Sequence, residues 1–236
     1  MVSARPKSHL ISTGTSEIDK KIGGGIPEGS LTLIDGHSDA GKSVLIQQFV
    51  WGAVQEGRSV ALYTTENTTA SLIRQMKSLS FDVLDFFLLG KLNVFTVPNT
   101  FTDPATTAIF DVLLDHIDQM ENVDLIVVDS LTAFVSHASG QETLDFFSNA
   151  KKICDGKKTL MMTMHSYAVD EQLLIRIRSI CDCHLRVRVE EMGETLLKVL
   201  EVAKVRGAAK STGNIISFDI QPNVGIRIIP VTKAKA

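Results

Sequence analysis

The sequence predicts an α/β fold: a mostly parallel central sheet flanked by helices, with antiparallel strands at the C-terminal end. Three observations predict it. Short apolar runs recur along the chain, each followed by a segment with helical spacing, which is the pattern of strands alternating with crossover helices. A glycine-rich loop, residues 36–43, sits at one of these strand-to-helix junctions. Beyond Cys183 the helical segments stop and strand-like runs follow one another across turns.

The elements follow in order. "STGTSEIDKKIGGGIPEGS" is a polar, turn-rich lead-in punctuated by Gly23 to Gly25 and Pro27. "LTLID" (31–35) reads as a buried strand, and the loop after it opens a helix that runs to Glu56, with Gly57 as its stop. "SVALYTTE" (59–66) is the next strand, and "TTASLIRQMKSLS" opens with threonines and turns helical. "LNVFTV" (92–97) is a third strand, ended by Pro98, and Asp103-Pro104 starts a helix that reaches Met120. "LIVVDS" (125–130) is a fourth strand, apolar up to its aspartate. A helix near 140–154 leads to "TLMMTMH" (159–165), and a short helix follows at 170–180. "HLRVRVEE", "ETLLKVLEVAKV", "IISFDI" and "GIRIIPV" read as short strands, separated by Met192-Gly193, by Gly207 to Gly213 and by Pro222-Asn223.

The totals narrow the class. A length of 236 residues suits one α/β domain over 1–236, and 44% hydrophobic residues supply its core. The net charge of −3 argues against a protein whose main task is to cover nucleic-acid phosphates, since such proteins are usually basic. Three cysteines with no framework spacing point to a reducing compartment. Cys181-Asp182-Cys183-His184 has some metal-ligand character, but structural zinc sites favour paired C-x2-C spacing, and these residues alternate as the start of a strand does. No signal peptide is visible, and no apolar run approaches the roughly 18 residues needed to cross a bilayer. The expectation is a soluble, cytoplasmic protein, with docking onto a membrane complex left open.

Gly36-His37-Ser38-Asp39-Ala40-Gly41-Lys42-Ser43 matches G-x4-G-K-[ST] at every fixed position, between a strand and a helix. Glycines let such a loop close around an anion, and backbone N–H groups and the helix N-terminus then face it. The binding set expected is Gly36, His37, Ser38, Asp39, Ala40, Gly41, Lys42, Ser43 and Val44, holding ATP. Lys42 is expected to reach the β- and γ-phosphates, and the Ser43 hydroxyl to ligate Mg²⁺. Asp39 repels a phosphate unless it points outward, and His37 is expected to face solvent.

Asp129 closes an apolar strand, where a carboxylate orients Mg²⁺; the alternative is a cap on the next helix. Glu66 ends the strand after the loop helix. If that strand neighbours the first, Glu66 points into the same cleft and can orient the attacking water. Otherwise it caps the helix near Thr68 and Thr69. Lys204 and Arg206 end a late strand, too far along to belong plainly to the cleft. They are a solvated pair, or they act on a neighbouring subunit's γ-phosphate as an arginine finger does. His165, ending the fifth strand, is a weaker candidate for sensing the γ-phosphate. Ser179 is expected to face the core.

With these pieces placed, the chain resembles the RecA/KaiC superfamily of ATPases over essentially its whole length, and within it the KaiC-like branch of the archaellum (archaeal flagellum). The residues that carry the resemblance are "ISTGTSEIDKKIGGGIPEGSLTLIDG", "TTENTTASLIRQMKSL", "LIVVDSLTAF" and "AKVRGAAKSTGNIISFDIQPNVGIRIIP". It implies a RecA-like P-loop NTPase core, and ATP and Mg²⁺ at Lys42, Ser43 and Asp129. It implies a ring of copies of the chain, expected to be hexameric, with Lys204 and Arg206 matching a K-x-R pair that acts across subunits. It also implies docking onto the archaellum motor ATPase and the membrane platform protein, hence a peripheral place at the cytoplasmic face of the membrane. KaiC-like enzymes usually carry two adjacent glutamates where this chain has Glu66-Asn67, so slow or negligible turnover is expected. The resemblance further implies that nucleotide binding regulates assembly more than it drives work, and it allows weak ATPase or autokinase activity.

Three functions follow for test: a nucleotide-regulated assembly protein, an ATPase that performs mechanical work, and a DNA recombinase. The acidity, the 6% aromatic content and the brief "SYAVDEQ" after His165 count against the last, so nucleic acid is not an expected partner.

Overall fold

The computed structural model describes residues 9–97, 106–192, 195–208 and 214–230. The lead-in forms β1 (Leu10–Ile11), α1 (Ser16–Lys21) and β2 (Ile26–Pro27), with β1 and β2 paired as a small antiparallel ribbon. Asp19 organises it, accepting hydrogen bonds from Ser12 Oγ, Thr13 N and Thr13 Oγ1. β3 (Leu31–Gly36) then runs into α2 (Lys42–Gln55). β4 (Val60–Thr64), α3 (Thr69–Ser78), α4 (Leu84–Leu88) and β5 (Leu92–Thr96) follow, then α5 (Thr106–Gln119), β6 (Leu125–Asp129) and α6 (Thr132–Val135). α7 (Gly140–Asp155), β7 (Leu160–His165) and α8 (Glu171–Ile180) lead to β8 (Cys183–Met192), β9 (Thr195–Val205), β10 (Ile215–Gln221) and β11 (Gly225–Ile229).

Among the described residues the main sheet has the order β11-β10-β9-β8-β3-β7-β6-β4-β5. β5, β4, β6, β7, β3 and β8 are parallel, while β9, β10 and β11 add on antiparallel. Both faces of the parallel part are covered, which is why its strands read as continuous apolar runs. Ile34, Leu62, Val127, Met161 and Leu185 pack toward α2 and α3. Leu33, Tyr63, Ile126, Val128 and Met162 point the other way, into a core shared with α5, α7 and α8.

Several expectations need correction. β4 does not neighbour β3: β6 and β7 lie between them. The last strands are not all short, since β8 and β9 span 10 and 11 residues. β8 pairs parallel with β3 before the antiparallel run begins, because α8 acts as one more crossover. Ser179 is exposed rather than core-facing, its hydroxyl donating to the Ile175 carbonyl on the helix surface. The expected helix start at Asp103-Pro104, Pro98, Gly193 of the first expected turn, and residues 209–213 of the second lie outside the described residues.

Candidate functional site

Parallel strands bring their C-terminal ends to one edge of the sheet. Gly36 stands in register with His165, and Thr64 with Asp129. The loop after β3 needs glycine at two positions for separate reasons. A Cβ on Gly36 would lie 1.9 Å from the Val187 carbonyl oxygen of the adjacent β8. Gly41 caps α2 in a left-handed conformation, φ 101°, and a Cβ there would meet Ile220 Cδ1 at 3.1 Å. Asp39 is also left-handed, φ 57°, which sharpens the bend of the loop.

The loop borders a cavity of about 390 Å³. Ser38, Asp39, Gly41, Lys42, Ser43 and Val44 line it from the loop and the first turn of α2, and Asp129 and Glu66 from the ends of β6 and β4. Ala40 is buried beneath the loop. His37 faces solvent, its ring 6.1 Å from that of Tyr167, so only its backbone serves the loop. Lys42 Nζ donates to the Gly36 carbonyl at 3.2 Å and to the His37 carbonyl at 2.6 Å. Its pKa is lowered by burial, against the pull of Asp129 and Glu66. From β9, Lys198 Nζ donates to the Asp39 carbonyl at 2.9 Å and braces the outer side of the loop.

Asp129 is 4% exposed. Its Oδ1 accepts from Thr163 Oγ1 at 2.6 Å and from Ser43 Oγ at 3.2 Å. Burial pushes its pKa up, the Thr163 hydrogen bond opposes this, and the nearby Glu66 charge adds to the rise. Asp129 does not cap the following helix, whose cap position is Leu131 with no side-chain hydrogen bond. A buried carboxylate with two hydroxyls on one oxygen suits a small hard cation. Among the described residues no three His, Cys, Asp or Glu side chains cluster as a metal cage. The arrangement therefore fits Mg²⁺ that arrives with phosphate oxygens to complete its shell, with Ser43 and Asp129 as the protein's donors.

Glu66 reaches the cavity by a route the strand order alone would not suggest. The chain beyond β4 is strapped onto the end of β6: Thr65 N–H donates to the Asp129 carbonyl at 3.0 Å. The Thr65 hydroxyl bonds both the carbonyl and the N–H of Ser130. Glu66 then lies beside Asp129, and its Oε1 accepts from Ser130 Oγ at 3.4 Å. It is not the cap of α3, because Thr68 fills that role, accepting from Ser71 N–H. Asn67 is turned away, its N–H on Thr64 Oγ1 and its Oδ1 accepting from Ser71 Oγ.

Lys204 and Arg206 do not line the cavity. Lys204 Nζ donates to the carbonyls of Arg178 and Ser179 at the end of α8, and Arg206 lies 3.9 Å from Asp182. Cys181 and Cys183 are buried, and burial raises both thiols, which keeps them protonated and poor metal ligands.

His165 does line the cavity, with its Nδ1 hydrogen-bonded to Tyr167 Oη at 2.9 Å. Burial and the charge of Lys42 lower its pKa. Sequence reasoning missed Thr163, Ser130, Gln75 and Ile220, which also line the cavity. Thr163 had a readable signal, since it lies two residues before His165 on one strand and so shares its face. Gln75 and Ile220 had none, because they arrive from distant segments.

A cradle of backbone N–H groups, one lysine, and a hydroxyl–carboxylate pair can hold a polyphosphate and its metal. The model of the KaiC ATPase family matches residues 11–233. The chain belongs to the KaiC family of ATPases. Family membership carries nucleotide binding, and the RecA-like fold agrees with it. The archaeal flagellar ATP-binding protein FlaH of Sulfolobus acidocaldarius is 31% identical over 96% of this chain and all of its own. The crystal structure of flagellar accessory protein FlaH from Methanocaldococcus jannaschii superposes with a TM-score of 0.78 at 28% identity, covering 95% of this chain and all of that one. A KaiC-like protein from Pyrococcus horikoshii shares the fold, with a TM-score of 0.76 at 21% identity.

Proposed function

We propose that this KaiC-family chain binds ATP with Mg²⁺ as part of an archaellum motor complex, and that occupancy regulates ring assembly and docking while hydrolysis is slow. ATP is assigned to the loop of Gly36 to Ser43, with Val44 behind it, and Mg²⁺ to Ser43 and Asp129. The archaellum setting rests on likeness to proteins named archaeal flagellar ATP-binding protein. In that setting the partners are further copies of this chain in a ring, expected to be a hexamer, the motor ATPase and the membrane platform protein. The chain would then sit at the cytoplasmic face of the membrane. None of its described helices is long and apolar enough to cross one.

The observation that carries the regulatory reading is the composition of the reactive end of the cavity. Glu66 stands there beside Asp129, and Asn67 is hydrogen-bonded away. Lys204 and Arg206 do not join Lys42, because they are held on the α8 end and on Asp182. Charge stabilisation on the leaving phosphoryl then waits for a neighbouring copy to supply that pair. Glu66 beside Asp129 also favours a second reading, an ATPase that does work, since it is placed to orient a water.

One experiment separates the two: ATP affinity, oligomeric state and phosphate release measured in a single titration, with Glu66→Gln alongside. The regulatory reading expects tight binding, an ATP-dependent ring and turnover far below about 1 s⁻¹, the lower end of ordinary enzymes. Faster turnover, abolished by Glu66→Gln with binding intact, establishes the working ATPase instead.

A further inference from the structure

Three residues that line the cavity take no part in holding phosphate or metal: Val44, Gln75 and Ile220. These residues come from α2, α3 and β10, and the wall they form is tied together. Ile220 reaches over Gly41. The turn after β10 crosses to the end of α3, where Asn223 N–H donates to the Ser78 carbonyl at 2.8 Å. Ser80 Oγ donates back to the Asn223 carbonyl at 2.6 Å, and Ser78 Oγ to the Gln75 carbonyl at 2.7 Å.

Behind this wall lies an unusual amide. Gln47, on α2 one turn beyond Ser43, is fully buried. Its Nε2 donates to Gln75 Oε1 at 3.2 Å, while its own Oε1 has no hydrogen-bond partner among the described residues. Burying an unpaired amide oxygen is costly, and a leucine would fill the same space without that cost. What the amide does accomplish is to hold Gln75. With Gln75 Oε1 occupied by Gln47, Gln75 Nε2 is left to donate toward the cavity. Two apolar side chains and one oriented amide donor are the usual make-up of a site for an aromatic heterocycle with ring acceptors.

We infer that Gln75 is a specificity-determining residue for the nucleoside part of the bound nucleotide, donating to an acceptor on the purine edge, with Ile220 and Val44 against the base and Gln47 as its positioning residue. The inference rests on the nucleotide reading above. It adds a base-facing residue that lies outside the phosphate loop.

The test compares ATP with inorganic tripolyphosphate by calorimetry on the full chain. Gln75 is exposed, so Gln75→Ala is expected to fold. It is expected to weaken ATP about tenfold, the worth of one hydrogen bond, and to leave tripolyphosphate unchanged. Gln47→Leu is expected to reduce the ATP-to-tripolyphosphate preference in the same direction without lowering the melting temperature, which a purely structural role for Gln47 would lower. 2′-Deoxy-ATP is expected to lose affinity in the Gln75→Ala protein as ATP does; retention of wild-type affinity by the deoxynucleotide would mean Gln75 reads the sugar and overturns the base assignment. Equal losses for ATP and tripolyphosphate, or no loss for either, overturn the inference while wild-type ATP binding leaves the nucleotide reading standing. Wild-type protein that binds neither ligand overturns both.

Discussion

At the scale of single residues, Asp35 shows how the site is held from below. It is fully buried at the end of β3, immediately before the loop, with Arg178 on one oxygen and His184 Nε2 on the other at 3.1 Å. Burial pushes its pKa up, but the hydrogen bond and charge of His184, with the Arg178 guanidinium, outweigh burial and leave it lowered. A carboxylate with a lowered folded pKa contributes stability above its unfolded value, near about 4, and loses it as pH falls through the folded value. Asp35→Asn is therefore expected to destabilise the chain by about 3 kcal/mol at pH 7 in urea unfolding, since it breaks a buried pair. The gap to wild type should close as pH drops below 4 or so. A gap that does not narrow at all as pH falls below about 4 would mean the amide fails by packing instead. In the cavity, Lys42→Ala is expected to weaken ATP about a hundredfold, read by calorimetry, because a buried charge-assisted contact is lost. Lys42, Ser43 and Asp129 were all legible in the sequence, since a strand-to-helix motif fixes where they go. Asp35 read only as the end of an apolar run, because its partners Arg178 and His184 are roughly 150 positions away and no local pattern announces them.

At the scale of elements, two contacts decide the geometry. The close approach of β8 to Gly36 means that the loop is shaped by its neighbouring strand as well as by its own glycines. Gly36→Ala is expected to cost about 3 kcal/mol in chemical denaturation, because backbone rather than a movable side chain occupies the space. A cost below about 0.5 kcal/mol, typical of a surface change, would show that β8 yields easily. The other contact is the Thr65 strap from β4 to Asp129 and Ser130, which delivers Glu66 across the strand order. The alternation of strands and helices was readable from apolar spacing. The order of strands was not, because spacing reports which residues are buried and says nothing about which strand lies beside which. That is why the place of Glu66 hung on a condition, and β4 turns out to lie beside β6 rather than β3. β8 and β9 were readable nearly to their ends, even though Arg186, Arg188, Glu190 and Glu191 interrupt the apolar run of β8.

At the scale of the whole molecule, the residues assigned to phosphate line one cavity, while Lys204 and Arg206 lie away from it, on the end of α8 and beside Asp182. Lys204 is engaged by the end of α8, and burial together with the charge of Arg206 lowers its pKa. Lys204→Ala with Arg206→Ala is expected to leave ATP affinity within about twofold, since neither side chain lines the cavity, and to prevent the proposed ATP-dependent ring, with light scattering as the readout. A large loss of affinity in the dilute, unassembled protein would place the pair in the chain's own site. The central claim, that occupancy is read as assembly rather than spent as work, is tested most directly by measuring phosphate release from the fully ATP-bound, assembled protein. The expected result is a saturated ring that releases phosphate far more slowly than about 1 s⁻¹. Steady release at or above that rate would contradict it.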